Sequence, residues 1–390
     1  MTRRGRPAAL ALLGLLLWST SLLVARDLAA EDRVTVRGNY YRETSTRVLA
    51  PVVYVEKDLP DQRFTVGAEY MLDAVTSASI GAGAAAVTGG DHLFTEFRHE
   101  TTLRAAGRIR DWSLGGFFRY STESDWRSRS FGLSTARDVF NRAGTVSLSY
   151  MANLDSVLQI YGGRVIPWTG GRMNLGSGGE TPPPGASNFL QVHYLGLGYT
   201  HALTRHLLGG ALVEGIYARG PQDNPYRKVR DGLDESHPRR RKRLALSGFL
   251  RGTVPRTPLV LEARYRFYAD DWSILAHSPE VRAYVRVLRR VILRLRYRFY
   301  HQTGAWFWRE DGNYGSDTLY RTADPKMTRF HSHTPGGEVT VELDGLAKYR
   351  GLHWLRGAWI QATYSHVFYS EGYRFGPTAR LGSLAFSVPF

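Results

Sequence analysis

The chain has 390 residues, carries a net charge of +16 and contains no cysteine. The lack of cysteine excludes disulfides, thiolate metal sites and thiol chemistry. Hydrophobic residues make up 43% of the chain and mean hydropathy is negative, so bulk composition alone does not mark a membrane protein. A positive net charge is common in nucleic-acid-binding proteins. The N-terminus indicates whether this protein would meet nucleic acid.

The N-terminus has the pattern of a secretory signal peptide. Three arginines within the first six residues precede an apolar stretch from about residue 8 to 25, and Ala29 and Ala30 follow it. We expect residues 1–30 to be removed, which leaves residues 31–390 as a single domain. An uncleaved inner-membrane anchor is the alternative, because the apolar stretch is nearly long enough to span a bilayer.

Export changes the interpretation of the charge. Four arginines and one aspartate leave with residues 1–30, so the net charge falls from +16 to +13. An exported protein does not meet cytoplasmic DNA, and we therefore expect no nucleic-acid partner. The anions that it does meet are lipopolysaccharide phosphates, phospholipid head groups and a permeating solute.

Residues 258–301 contain three segments in which apolar and charged side chains alternate. In the first segment Leu261 and Tyr265 share one parity, and Glu262 and Arg264 share the other. Successive side chains of a strand point to opposite faces, so this period of two predicts strands and not helices. Segments of about ten to twelve residues are long enough to cross a bilayer at a tilt. The apolar face would then meet lipid, and the charged face a watery lumen.

The same alternation recurs along the chain and predicts about sixteen strands, with fourteen as the lower bound. The predicted strands span residues 33–42, 47–57, 63–73, 93–106, 112–121, 127–137, 143–153, 188–201, 206–218, 242–253, 258–269, 279–288, 291–301, 336–344, 356–369 and 379–390.

The predicted connections alternate between short and long. Those after even-numbered segments are mostly brief, whereas residues 74–92, 154–187, 219–241 and 302–335 form long loops after odd-numbered segments. Short turns at one end and long loops at the other are typical of outer-membrane barrels. We therefore predict an all-β fold, a transmembrane antiparallel up-and-down β-barrel with short periplasmic turns and long extracellular loops.

The last residues also suit an outer-membrane protein. Leu384, Phe386, Val388 and Phe390 alternate with smaller residues. This ending resembles the signal that the outer-membrane assembly machinery recognises in a last strand, so we expect that machinery to be a partner. Pro389 is unusual there, because a proline removes a donor from the hydrogen-bonded ladder.

Several short phrases along the chain point to one family. They are Tyr41-Arg42-Glu43, Leu72-Asp73-Ala74-Val75, Asn224-Pro225-Tyr226-Arg227, Glu235 with His237-Pro238, Tyr265-Arg266-Phe267-Tyr268 with Asp270-Asp271-Trp272, Tyr297-Arg298-Phe299-Tyr300, Gln302-Thr303-Gly304-Ala305 and Thr322-Ala323-Asp324-Pro325-Lys326-Met327. Together they resemble the proteobacterial family catalogued as domain of unknown function 3570. The resemblance covers essentially the whole mature chain and implies a Gram-negative outer-membrane protein. That family has no established activity, so it supplies no functional residue.

The charged faces of three consecutive predicted strands are rich in arginine. The residues predicted to line the lumen are Glu262, Arg264, Arg266, Asp270, Arg282, Arg286, Arg294, Arg296 and Arg298. Neighbouring strands lie about 4.8 Å apart, so these side chains would form a continuous basic wall that concentrates anions. The alternative is a packed, closed lumen in which carboxylates neutralise the arginines. Those carboxylates would be Glu262, Asp270, Glu96, Glu100 and Glu214.

A second basic cluster lies where a long loop meets its strand. It consists of Arg239, Arg240, Arg241, Lys242 and Arg243. Guanidinium groups outside the hydrocarbon bind phosphate bidentately, so this run is a candidate lipopolysaccharide contact. A solvated run of loop charges is the alternative.

Two weaker signals concern metals and catalysis. His331 and His333, with Asp324 and Glu338 nearby in sequence, have the chemistry of metal ligands but low specificity. We therefore expect neither a metal nor another cofactor.

Asp270 and Asp271 with His277 and His301 are similar to the acids and histidine of the omptin barrel proteases, although no other part of the chain matches. A barrel hydrolase is therefore the least favoured function, and we expect no enzyme.

The leading hypothesis is a passive channel or conduit whose basic lumen favours anionic solutes. The alternative is a plugged barrel that serves as a scaffold or docking surface for a partner. Loops 154–187 and 302–335 discriminate between the two, according to whether they fold into the lumen.

Overall fold

The computed structural model describes residues 32–44, 46–60, 63–77, 94–161, 164–170, 187–230, 232–315, 318–370 and 376–390. The predicted signal peptide and most of the long loop after β7 lie outside the described residues. Within the described ranges, no helix is long and apolar enough to cross a membrane.

Seventeen strands lie among the described residues. They are β1 Arg33–Glu43, β2 Thr46–Asp58, β3 Phe64–Ser77, β4 Phe94–Ile109, β5 Trp112–Thr122, β6 Trp126–Val139, β7 Gly144–Tyr161, β8 Arg164–Pro167, β9 Phe189–Thr204, β10 Leu207–Arg219, β11 Arg240–Thr253, β12 Leu259–Asp270, β13 Leu275–Leu288, β14 Val291–Gln302, β15 Phe330–Glu342, β16 Trp359–Tyr369 and β17 Thr378–Pro389. Two single-turn 3-10 helices, Pro325–Met327 and His353–Leu355, lie in connections.

Sixteen of these strands form one closed antiparallel barrel. Each pairs with its neighbours along the chain, and β1 closes the ring by pairing with β17, which places Arg33 opposite Pro389. β7 and β9 are direct neighbours in the barrel, while β8 pairs with the far end of β7 and stands apart. The predicted transmembrane up-and-down barrel of sixteen strands is confirmed.

Some strands extend farther toward the loop end than sequence alternation predicts. β7 runs to Tyr161 instead of residue 153, and β15 begins at Phe330 instead of residue 336. Gly336 interrupts the alternation but lies inside β15, where a Cβ atom would come within 2.4 Å of the Ser365 hydroxyl oxygen. The glycine therefore allows close pairing with β16 and does not end the strand.

The longest loops lie at one end of the barrel and most of the short turns at the other, although residues 343–358 form a long connection at the turn end and residues 123–125 and 271–274 short ones at the loop end. Residues 110–111, 205–206 and 289–290 are two-residue turns at one end, while residues 220–239 and 303–329 are long loops at the other. The predicted asymmetry is confirmed, and the turn end is accordingly the periplasmic end.

The two faces of each strand differ in chemistry. Leu261 on β12 and Leu295 on β14 are about half exposed on the outer face, at 48% and 52%, whereas Glu262 beside Leu261 is only 1% exposed. Every carboxylate within the described strands has the inward parity. This sorting suits a wall that has lipid on one side and a polar interior on the other.

The C-terminal strand contributes its apolar residues to the outer surface. Leu384, Phe386 and Val388 lie opposite Gly38, Val36 and Val34 of β1. Pro389 is the last residue of β17, so its missing N–H affects only the end of the ladder. Recognition of this segment, together with Phe390, by the assembly machinery stays a prediction.

The two faces of β14 give a direct test of this arrangement. We expect Leu295→Arg to destabilise the folded barrel by about 2–4 kcal/mol, because it places a charge against lipid near mid-height. Arg296→Leu, one residue away on the inner face, should cost little or nothing. Equilibrium unfolding in lipid vesicles measures both, and a larger loss for Arg296→Leu would mean that the faces are reversed.

Candidate functional site: an arginine wall and a loop cluster

The nine residues predicted to line the lumen all lie on the strand faces opposite the exposed apolar residues, which is the interior face of a closed barrel. They are Glu262, Arg264, Arg266, Asp270, Arg282, Arg286, Arg294, Arg296 and Arg298. Their effect on a solute stays a prediction. The structure adds which of the arginines are neutralised and which are not.

Glu262 on β12 is the centre of the ion-paired part of the wall. It is fully buried and forms ion pairs with Arg264 on its own strand, with Arg251 of β11 at 2.5 Å and with Arg282 of β13 at 3.6 Å. Tyr284 also lies 3.5 Å from it through its hydroxyl group. One carboxylate therefore holds three guanidinium groups from three adjacent strands.

Other carboxylates neutralise single arginines along the wall. Arg266 pairs with Glu214 of β10, and Arg294 pairs with Glu338 of β15 at 2.5 Å. These pairs connect nearby strands along the wall and do not bridge the lumen. Glu100, one of the carboxylates expected to neutralise the wall in a closed lumen, instead pairs with Arg119 on the far side of the barrel at 3.8 Å.

Three inward arginines differ from the others. In the described part of the chain, no carboxylate lies within 4.0 Å of the guanidinium groups of Arg243, Arg296 or Arg298. Their Nε atoms are buried and form no hydrogen bond. Arg296 and Arg298 are inward neighbours on β14, at the centre of the barrel wall. Glu280 of β13 lies directly opposite Arg298 but forms its ion pair with Arg282. Arg286, at the turn end of β13, also has no ion pair among the described residues and donates to the Arg289 carbonyl at 3.0 Å.

The strand order places this wall opposite a more acidic one. In a ring of sixteen strands β13 lies half a turn from β4, so β11–β14 face β2–β5. Inward residues of β11–β14 include ten arginines and three carboxylates, whereas those of β2–β5 include six carboxylates and four arginines. The six carboxylates are Glu56, Asp58, Glu69, Asp73, Glu96 and Glu100. Charge is therefore distributed unequally across the lumen.

The basic run that was a candidate lipopolysaccharide contact is divided by strand parity. Arg240 and Lys242 are exposed on the outer face of β11. Arg241 points inward, where it pairs with Asp270 at 2.5 Å and stacks on Trp272, and Arg243 shares its parity. Arg239 donates to the Ser187 carbonyl at 2.6 Å in the loops. Only two of the five side chains are thus placed to meet lipid.

Loops 220–239 and 303–329 form a loop cluster at the extracellular end. Arg227 forms ion pairs with Glu235 at 3.3 Å and Asp324 at 3.1 Å, and all three side chains are buried. Glu235 also accepts hydrogen bonds at 2.8 Å from the Thr322 hydroxyl and the Ala323 N–H. The two loops are therefore joined by a buried ionic network.

The loop cluster also has an apolar part. Trp272, between β12 and β13, packs against Phe307, Ile274, Ala305 and Met327. The His237 ring lies 5.4 Å from the rings of both Trp272 and Phe307. Phrases that carry the family resemblance, far apart in sequence, thus meet in one place.

The loop cluster extends over the barrel mouth to distant strands. The Tyr226 hydroxyl donates to Asp125, between β5 and β6, at 2.5 Å and accepts from the Ile160 N–H at 2.8 Å. On the other side, Lys326 lies close enough to Glu43 of β1 for their charges to interact. Two loops that begin on β10 and β14 therefore reach across several strands.

Burial and neighbouring charges shift the pKa values of two side chains in this cluster. Burial lowers the pKa of Lys326 to about 8, although the charges of Asp324 and Glu43 oppose that change. Burial alone would raise the pKa of Asp324, but the positive charges of Arg227 and Lys326 hold it well below its usual value. The carboxylate of Asp324 is therefore held in its charged form by the cations beside it.

The candidate metal ligands and the hydrolase-like residues are divided between the two faces of the wall. His331 and His333 lie together on the outer face, with ring centroids 5.8 Å apart. His333 and His277 lie on the outer face, each 2.6 Å from a tyrosine hydroxyl through Nδ1. Asp324 and Glu338 are held elsewhere by Arg227 and Arg294. Since Asp270 points inward and His277 outward, the omptin-like grouping lies on two sides of the wall.

A cluster of three carboxylate side chains lies near the extracellular ends of β4, β5 and β6. Oxygen atoms of Glu96, Glu123 and Asp125 all lie within 4.8 Å of one another. Burial raises the pKa of Glu123 to about 8, and the negative charges of Glu96 and Asp125 add to this effect. Glu123 therefore holds its proton more tightly than an exposed glutamate does.

A family model described as "Protein of unknown function (DUF3570)" matches residues 6–350. No curated protein matches the chain. A bacterial polysaccharide outer membrane secretin is similar in structure, with a TM-score of 0.50, 10% identity and coverage of 93% of this chain and 100% of that chain.

Two further solved structures are similar to this chain. A BenF-like porin from Pseudomonas fluorescens Pf-5 gives a TM-score of 0.45 and 9% identity, with 92% of this chain and 98% of that chain covered. The outer membrane protein opdK from Pseudomonas aeruginosa gives a TM-score of 0.45 and 7% identity, with the same coverage. Identities this low describe the fold and not the function.

The ionic network between the loops can be tested with one substitution. Arg227→Met leaves Glu235 and Asp324 buried without their cation, so we expect a local loss of about 3–5 kcal/mol. Limited proteolysis should then cut within residues 220–239 and 303–329 far faster than in the wild type, while the barrel stays intact.

Lys228→Met is the matched control for Arg227→Met. The side chain of Lys228 is exposed and pairs with Asp234, so its loss should cost less than about 1 kcal/mol. Equal proteolysis of the two variants would show that the buried network does not hold the loops.

The protonation of Glu123 makes stability depend on pH. The folded state binds this proton more tightly than the unfolded state, so the contribution is full below about pH 4.5 and is lost as pH rises to about 8. We expect Glu123→Gln to match the wild type at pH 4 and to exceed its stability at pH 9 by on the order of 2–4 kcal/mol.

Reversible denaturation of the refolded protein at both pH values measures this difference. Glu310→Gln, at an exposed carboxylate of loop 303–329, should behave like the wild type at pH 4 and pH 9. A wild type that is as stable at pH 9 as Glu123→Gln would contradict the burial of a protonated carboxyl.

Proposed function

This chain belongs to the family described as protein of unknown function (DUF3570), and we propose that it is an outer-membrane channel whose basic wall favours anionic solutes. The description of the family names no activity, so the proposal depends on the geometry of the barrel itself. The observation that carries it is the pair Arg296 and Arg298 on β14. These inward guanidinium groups have no carboxylate within ion-pair distance among the described residues.

Local neutralisation decides which arginines can act on a solute. Glu262 and Glu280 together offset most of the positive charge of Arg251, Arg264 and Arg282, so that group acts on a solute more weakly than unpaired arginines do. The uncompensated charges of Arg296 and Arg298 raise the local concentration of anions and repel cations. Guanidinium groups also bind carboxylate and phosphate bidentately, which suits solutes that carry those groups.

The acidic wall opposite the arginines would also orient a solute in the lumen. A solute between β11–β14 and β2–β5 meets positive charge on one side and an excess of carboxylates on the other. Such a field orients a polar solute so that its anionic group lies toward β14. We therefore expect small anions that carry other polar groups to have a higher permeability than uncharged solutes of equal size.

A second candidate function is a closed barrel that serves as a scaffold or docking surface. The observation that favours it is the loop cluster, because loops 220–239 and 303–329 pack together over the mouth and reach Asp125 and Glu43. In that case solutes would not cross the folded protein, and the loops would present a fixed surface to a partner.

Conductance in planar bilayers tests the channel and its selectivity. In a salt gradient the wild type should show a reversal potential on the anion-selective side. Replacing Arg296 and Arg298 together by glutamine should lower the ratio of anion to cation permeability by about twofold or more, since the unbalanced charge is removed.

The matched control replaces Arg129 and Arg137 by glutamine, two arginines on the outer face of β6. It removes the same charge from one strand and should leave selectivity unchanged. A cation preference, or equal selectivity in both double variants, would reject the basic wall. A folded protein that does not conduct would favour the scaffold.

A further inference from the structure

Three exposed arginines form a row on the outer face where the barrel closes. Arg42 on β1 lies directly opposite Arg47 on β2, and it also lies directly opposite Arg380 on β17. All three share the outward parity of exposed apolar residues such as Leu49 and Leu384. Residues opposite one another in antiparallel strands have Cα atoms about 4.5–5.5 Å apart, so the row spans about 10 Å.

This arrangement is unfavourable unless an anion is present. Like charges placed directly opposite each other destabilise a pair of strands, and here two such pairs share one residue. Inward arginines of this barrel are mostly balanced by carboxylates, but every carboxylate within the described strands has the inward parity. Within the described ranges, none of the ion pairs involves Arg42, Arg47 or Arg380. Neighbouring side chains of the wall therefore do not neutralise the row.

The position of the row in the membrane identifies the kind of anion. Arg42 is the penultimate residue of β1 and Arg47 the second residue of β2, so both lie at the extracellular ends of their strands. Exposed apolar residues, among them Tyr40 and Leu49, cover the strand surface next to the row on the periplasmic side. A ligand that meets both parts has an anionic head and hydrocarbon chains, and it lies in the outer leaflet.

We propose that Arg42, Arg47 and Arg380 form a binding site for the phosphate groups of lipopolysaccharide. The guanidinium forks would share the phosphate oxygens, which replaces the repulsion within the row by charge-assisted hydrogen bonds. His366 lies directly opposite Arg380 on β16 and extends the row by one strand. The acyl chains would lie over the apolar surface that includes Leu49 and Leu384.

This site is separate from the arginine wall and from the run 239–243. The row lies outside the barrel on β17, β1 and β2, whereas Arg296 and Arg298 lie inside it on β14. Lipid binding and conductance can therefore succeed or fail independently. Variants of the row should conduct with the anion selectivity of the wild type, whatever that selectivity is.

Binding of lipopolysaccharide to the refolded full chain in detergent tests the proposal. The triple variant Arg42→Gln, Arg47→Gln and Arg380→Gln should bind lipopolysaccharide about tenfold or more weakly than the wild type, because three charge-assisted contacts are lost. Dephosphorylated lipopolysaccharide should bind the wild type as weakly as intact lipopolysaccharide binds the variant. Because the three side chains are exposed, the variant should fold, and the single variant Arg42→Gln provides a second test at the centre of the row.

The matched control removes three exposed arginines from the periplasmic end, by Arg137→Gln, Arg205→Gln and Arg256→Gln, and should bind lipopolysaccharide within about twofold of the wild type. If both triple variants lost the same affinity for lipopolysaccharide, net charge alone would explain the loss and the proposed site would be wrong. Wild-type affinity in the row variants would overturn it as well. Inorganic phosphate that binds the wild type as tightly as lipopolysaccharide does would assign the row to the free ion and reject the lipid.

Discussion

The closed ladder of backbone hydrogen bonds is the constraint on which the rest of this structure depends. Lipid offers no hydrogen-bond partner to a backbone N–H or carbonyl group, so a sheet that crosses a bilayer has to close on itself. Pairing of β1 with β17 closes it here. Closure divides the side chains into two environments, and each strand then places alternate residues against lipid and against the interior. The arginine wall, the inward carboxylates and the outer arginine row all follow from that division.

The barrel could be predicted from sequence because its signal is local. Alternation over about ten residues fixes the face of each side chain, and Arg264, Arg266 and Arg294 share the predicted parity in the structure. Sixteen strands and the segregation of turns from loops follow from the same pattern. Strand ends were harder to predict, since Gly336 weakens the alternation yet lies within β15 as a position for close backbone approach.

The loop cluster could not be derived from alternation, because its contacts join residues far apart in sequence. Thr322 reaches Glu235 across 87 positions, and no period relates the two. The available signal was chemical: turn-forming phrases with opposite charges in two long loops. Pairing within the wall was equally hidden, since the choice of Glu262 over other carboxylates depends on the register between β11, β12 and β13. Parity predicts which way an arginine points, and register decides whether it is neutralised.

Cysteine accessibility tests the central claim most directly, because the chain has no native cysteine. In vesicles, Arg296→Cys should react with a water-soluble, membrane-impermeant thiol reagent that enters the barrel. Leu295→Cys should resist it and react only with a lipid-soluble reagent. An anionic reagent should label Arg296→Cys faster than a cationic one of equal size, since Arg298 remains nearby. Labelling of Leu295→Cys from water, with Arg296→Cys protected, would contradict the assignment of inner and outer faces.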